Sequence, residues 1–188
     1  MNRTAVILFA GNARREEAQK GLPARFLAKL HARLERTIRT FAVDLIIADD
    51  FVDAPTLNEK IERVFEKAFA RGYSRVIALA GDILLPSAIL RRAIEADETL
   101  IGGTCDGGFY LLATDGIPRI DWTSLTFEHV AGQLECETLS ELRDVDSIDD
   151  ARRVAPSLIP IRHERRSNLA SQQLSNPIAR LRAPPSFA

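Results

Sequence analysis

The chain has 188 residues, 46% hydrophobic and 27% charged, enough apolar material for one domain with a sizeable core. Its 25 basic and 26 acidic side chains give a net charge of −1, which argues against a clustered basic face for a nucleic-acid backbone. Two cysteines, Cys105 and Cys136, lie outside any metal-ligand spacing and are too few for a disulfide framework, so reduced thiols in the cytoplasm are expected.

Thr4 to Ala10 reads as a buried first strand, since its apolar run is too short for a secretory segment or a membrane span. A polar loop is expected from Gly11 to Pro23, followed by an amphipathic helix from Ala24 to Phe41 with Phe26, Leu27, Leu30, Leu34 and Ile38 on one face. Val43 to Ala48 returns as a strand, and Asp49 to Leu57 reads as a loop. Asn58 to Arg71 has the clearest helical period in the chain, with Ile61, Val64, Phe65, Ala68 and Phe69 in register and Gly72 after it. Arg75 to Ala80 lacks polar alternation, as expected of a strand covered on both faces, and ends in Gly81 and Asp82.

Ser87 to Ala96 predicts a helix, and Thr99 to Gly102 and Gly108 to Thr114 predict strands. Asp106, Gly107 and Gly108 between them fit a hairpin turn. Thr126 to Leu134 reads as helical, Glu137 to Leu142 as extended, and Ser147 to Val154 as a helix capped by Asp146. Alternating strands and helices predict a three-layer α/β/α domain with a mostly parallel mixed sheet over residues 1–163. Residues 164–188 are polar and proline-punctuated, so a mobile or partner-bound tail is expected, with Leu169 to Leu181 packing on a second subunit of a homodimer as the alternative.

Three places could carry chemistry. The first loop offers Gly11, Asn12, Arg14, Arg15 and Lys20 between a buried strand and a helix, where main-chain N–H groups and cations can meet a phosphate. A solvated charged turn explains the same residues without a ligand. Asp82 sits where parallel sheets bind ligands, beyond the carboxyl end of a strand, or else it caps the helix entered near Pro86. Together with Asp144 it could supply carboxylates to Mg²⁺ or Mn²⁺, which need few protein ligands when phosphate oxygens complete the shell. Asp146, Asp149 and Asp150 are read as charges complementing a helix N-terminus, and Asp49, Asp50 and Asp53 as a solvated loop. Trp122 is either the flat floor of an acceptor pocket or a core residue. His31, His129 and His163 are isolated, and no G-x-S-x-G elbow is present.

Four ordered segments, NEKIERVFEKAFARGYSRVIALAGD, CDGGFYLL, the tryptophan at 122 and ELRDVDSIDDARR, resemble small bacterial proteins of the glycosyltransferase A fold. That family includes the arsenosugar-biosynthesis-type glycosyltransferases, and the likeness spans about residues 4–155. It implies a nucleotide-diphospho-sugar transferase-like enzyme that uses a nucleotide sugar and a small-molecule acceptor. In such a protein Asp82, at the end of the central strand, would hold the metal or the nucleotide diphosphate. Asp106 would bind sugar hydroxyls or act as a base, and Gly107 and Gly108 would flank the same pocket. Against the family, Asp82 is followed by Ile-Leu-Leu-Pro and the stretch between Trp122 and Arg143 is short. LFAGNARREEAQKGLP resembles instead the first loop of sugar nucleotidyltransferases and of molybdenum-cofactor guanylyltransferases, in which the residues matching Gly11, Arg15 and Lys20 hold a triphosphate. The two alternatives are therefore a nucleotidyltransferase and a non-catalytic nucleotide-binding or assembly protein.

Overall fold

The computed structural model describes residues 3–11 and 13–158. Asn12 and the C-terminal stretch expected to form the tail lie outside the described residues, as does His163. Six strands form one sheet: β1 (Thr4–Phe9), β2 (Asp44–Ile47), β3 (Arg75–Ala80), β4 (Leu100–Thr104), β5 (Phe109–Thr114) and β6 (Glu137–Leu142). Their order is β2-β1-β3-β5-β4-β6. β1 pairs in parallel with β2 and β3, and β4 in parallel with β6, while β5 runs antiparallel between β3 and β4. The expected mixed, mostly parallel sheet is thus present, with β5 the strand that reverses.

Alternate residues of the central strands serve the two layers of helices, as the period of two requires. Ala5, Ile7, Val76, Ala78, Ile101 and Leu112 face α4 (Leu57–Ala70), which contributes Ile61, Val64, Phe65 and Ala68 to that core. Val6, Leu8, Ile77, Leu79, Leu100 and Leu111 face the opposite layer. There Leu34 and Ile38 of α2 (Ala24–Ile38) and Leu90 and Ala93 of α5 (Ser87–Glu95) cover them. A third cluster joins Phe26, Leu27 and Leu30 of α2 to Val145 and to Ala151 of α7 (Ile148–Val154). It seats the chain after β6 against the start of α2.

Several local expectations change. The stretch read as a loop after β1 contains helix α1 (Ala13–Lys20), because Ala, Arg, Glu, Gln and Lys favour a helix even without an apolar stripe. Gly21, with φ of +66°, closes it. Ala48–Phe51 forms a single helical turn, α3, where a loop was expected. α4 begins at Leu57, one residue early, because the Thr56 hydroxyl accepts the Glu59 N–H at 3.2 Å in an N-cap. α6 (Phe127–Ala131) is shorter than expected and is capped by Thr126. α7 is capped by Ser147 rather than Asp146, its hydroxyl accepting the Asp150 N–H at 3.1 Å. Helix α5 has Pro86 in the cap position and no side-chain cap, so Asp82 is not its cap.

Candidate functional site

All strands but β5 end at one edge of the sheet, and β5 begins there, so the β4–β5 turn joins the ends of β1, β3 and β6 at that edge. Asp82 lies two residues beyond β3. The turn after β4 carries Asp106, and Gly107 adopts φ of +93°, a conformation that glycine alone takes without strain. The Thr104 N–H donates to the Gly108 carbonyl at 2.9 Å and the Gly107 N–H to the Thr104 carbonyl at 3.0 Å, which closes the hairpin. The Phe127 N–H at the start of α6 donates to the Gly107 carbonyl at 2.8 Å and fixes the turn from outside.

The chain leaving β6 crosses over the end of β3. Ile83 and Asp144 form an antiparallel bridge, and the Val145 N–H donates to the Asp82 carbonyl at 2.8 Å. This crossing brings Asp144 and Asp146 beside Asp106. One carboxylate oxygen from each of Asp106, Asp144 and Asp146 lies within 4.8 Å of the others. From the other side, the Lys20 ammonium at the end of α1 reaches Asp82 Oδ2 at 2.6 Å and also contacts Asp146. The backbone thus pairs Asp82 with Val145 and Ile83 with Asp144, whereas the side-chain cluster is built on Asp106, Asp144 and Asp146.

Electrostatics separates these groups. Burial, followed by the charges of Asp146 and Asp106, pushes the Asp144 carboxyl up to about 7. The Thr104 hydroxyl and then the Gly108 N–H donate to Asp106 and hold its pKa below the ordinary carboxylate value. Burial disfavours the charged form of Lys20, but Asp82 and Asp146 outweigh it and raise its pKa. Three closely spaced carboxylates are hard oxygen donors of the kind Mg²⁺ and Mn²⁺ take, so the residues present fit such an ion.

Beside the cluster lies a cavity of about 290 Å³. Asp82, Asp106, Asp144, Asp146 and Thr104 line its polar side, while Phe9, Leu57, Ile61, Phe109 and Leu125 line its apolar side. Gly108 also borders it. Trp122 does not line this cavity: it is buried in the core, stacked on Phe65 with ring centroids 6.3 Å apart, and its carbonyl accepts from Asn58 at 2.5 Å. Gly11 follows β1 at the same edge, and Arg14 and Arg15 belong to α1. Gly107 lines a neighbouring cavity on the far side of the turn, with Thr126, Glu128 and Glu141. The sequence reading missed Asp146 as a member of the cluster. Its signal was position alone, two residues after Asp144 and so able to share its loop.

Residues 52–131 match the family DUF2064, described as uncharacterized proteins conserved in bacteria. That stretch runs from the end of α3 through α6 and includes Asp82 and Asp106. No curated protein matches the chain in sequence. Among solved structures, the chain is similar to a protein of Desulfovibrio desulfuricans G20 described as a candidate nucleotide-diphospho-sugar transferase. The two share 19% identity with a TM-score of 0.61, over 84% of this chain and 94% of that one. The fold is accordingly that of the nucleotide-diphospho-sugar transferases. An inositol-1-phosphate CTP transferase from T. maritima aligns over 79% of this chain and 91% of its own, with 13% identity and a TM-score of 0.41.

Proposed function

We propose that this protein is a transferase that binds a nucleotide-diphosphate sugar over the carboxyl edge of the sheet and passes the sugar to a small-molecule acceptor. The observation that carries this reading is the cluster of Asp106, Asp144 and Asp146 lining a cavity whose other walls include apolar side chains. In this proposal Asp144 and Asp146, with an oxygen of Asp106, would hold Mg²⁺ or Mn²⁺, and Asp82, paired with Lys20 beside them, would complete the set. When bound, the ion would supply electrostatic stabilisation of the departing nucleoside diphosphate. Gly11 and Lys20, with Arg14 and Arg15 of α1, would supply the N–H groups and positive charge for the phosphates.

Asp106 has a depressed pKa and is ionised near neutral pH, so it suits accepting hydrogen bonds from sugar hydroxyls better than removing a proton. Gly107 and Gly108 shape the turn that presents it. Trp122, as a core residue, supports the wall behind this region and does not touch the ligand.

The test is thermal unfolding of the wild type and of Asp82→Asn and Asp144→Asn with nucleotide sugars, nucleoside diphosphates and nucleoside triphosphates, each with and without Mn²⁺. Ligand at 100 times its dissociation constant contributes about 2.7 kcal/mol, which for a domain of this size is a rise of roughly 5–10 °C. A Mn²⁺-dependent rise with a nucleotide sugar, lost in both variants, is the expected result. Absence of any rise with nucleotide sugars or diphosphates sinks the reading.

A second reading is favoured by the contact of Lys20 with Asp82 and Asp146. A nucleotidyltransferase would use that lysine on a triphosphate and release pyrophosphate. Stabilisation by triphosphates alone, with pyrophosphate formed from a phosphorylated acceptor, would select it.

A further inference from the structure

This inference rests on the reading of the carboxylate edge as a divalent-cation site and concerns what fills that edge before the ion arrives. We infer that Lys20 is a resident counter-ion that a divalent cation must displace, so that arrival of the ion frees the ammonium for the phosphates of the nucleotide.

The contacts place one cation where a second would come. The Lys20 ammonium bridges Asp82, at 2.6 Å, and Asp146, and Asp146 is also a member of the three-carboxylate cluster. A divalent ion drawing on Asp146 and Asp82 would lie within a few ångströms of that ammonium. Two cations so close repel each other strongly in a half-buried setting, so the two states exclude one another.

The ammonium holds its two partners unequally. The Lys20–Asp82 pair is sheltered, at 22% and 27% exposed, whereas Asp146 is 51% exposed, and an ion-pair partner that open to water is held weakly. The local backbone permits release. Lys20 is the last residue of α1, and Gly21 after it takes φ of +66° with no other heavy atom within 4 Å of where a Cβ would be. The flexible four-carbon stem of lysine can then swing without moving the sheet. Its new partner must be anionic and adjacent to the metal, which is the position of the metal-bound diphosphate in the proposed function.

The experiment measures Mn²⁺ binding to the full chain without nucleotide, by electron paramagnetic resonance and by calorimetry, for wild type, Lys20→Met, Lys20→Gln and Lys20→Arg. Removing the competing charge should tighten Mn²⁺ binding by about tenfold or more in Lys20→Met and Lys20→Gln, with Lys20→Arg within about threefold of wild type. With Mn²⁺ saturating, UDP and GDP are then titrated in turn, and whichever the wild type binds should bind about tenfold more weakly to Lys20→Met. Mn²⁺ affinity that is unchanged or weaker in both neutral variants overturns the inference and leaves the metal site standing. Failure of every protein, wild type included, to bind Mn²⁺ overturns the metal reading itself and the inference with it. Circular dichroism of each variant identifies any that do not fold, and the two neutral substitutions serve as independent tests.

Discussion

Val145 and Asp82, 63 positions apart in the chain, are joined by a backbone hydrogen bond of 2.8 Å from the Val145 N–H to the Asp82 carbonyl. That bond and the neighbouring Ile83–Asp144 bridge decide where the carboxylates of the β6–α7 connection stand. The Val145 side chain, fully buried against α2 and α7, is the anchor that holds the crossing in place.

Shortening that anchor should therefore act on the site as well as on the fold. Val145→Ala is expected to cost about 1–2 kcal/mol in urea unfolding and to weaken Mn²⁺ binding severalfold, although it removes no carboxylate. Undiminished Mn²⁺ affinity in a measurably destabilised variant would show that the cluster does not depend on this packing.

The raised pKa of Asp144 makes stability depend on pH in a defined direction. Because the native state holds this proton more tightly than the unfolded chain, its contribution is complete below the ordinary value of 3.8 and is lost as pH rises through about 7. Without divalent ions, unfolding free energy measured from pH 4 to 8 should include a decline over that interval that Asp144→Asn lacks. Asp106 works in the opposite sense, since its depressed pKa gives stability above the ordinary carboxylate value that is lost on acidification. Identical slopes in the wild type and Asp144→Asn would rule out the assignment to Asp144.

Gly102 in β4 leaves room for the ring of Tyr110, whose hydroxyl donates to the Ser140 carbonyl at 2.9 Å. A Cβ at position 102 would stand 2.3 Å from that ring, on a strand with little freedom to move. Gly102→Ala should destabilise the protein by about 3 kcal/mol, at the upper end of overpacking effects. Gly116→Ala, where nothing lies within 4 Å, serves as the control. Equal midpoints for the two variants in thermal melts would contradict the packing described.

Trp122 should be important for folding and indifferent to ligand. Trp122→Ala is expected to cost about 3–5 kcal/mol, and Trp122→Phe less, with nucleotide-sugar affinity of the latter unchanged in calorimetry. Lost affinity in a fully stable Trp122→Phe would return this residue to the pocket.

The sheet and its main helices were legible because burial writes itself into spacing. The unbroken apolar run of β3 and the three- and four-residue steps of α2 and α4 are local records of what each element covers. Helix α1 left no such record: ARREEAQK has no apolar stripe, and its helical state comes from residue preference and from the glycine after it. Asp82 was legible as the end of a buried strand, but its partner was not, since the Lys20 contact joins positions 62 residues apart. Asp146 looked like a helix-end charge because it stands directly before the cap Ser147. Only the crossing over β3 turns it toward Asp106. Trp122 had a polar neighbourhood in sequence, and nothing local announced the Phe65 ring against which it packs.

The sites of the carboxylates along the chain also bear on how the protein folds. The turn carrying Asp106 belongs to a hairpin of adjacent strands, whose contacts are short in sequence and can form early. Asp82, Asp144 and Asp146 reach that turn only after β3 has docked and the chain beyond β6 has crossed it. A cation that needs all of these groups has little to hold in the folding transition state. Its stabilisation should therefore appear as slower unfolding, with the refolding rate nearly unchanged.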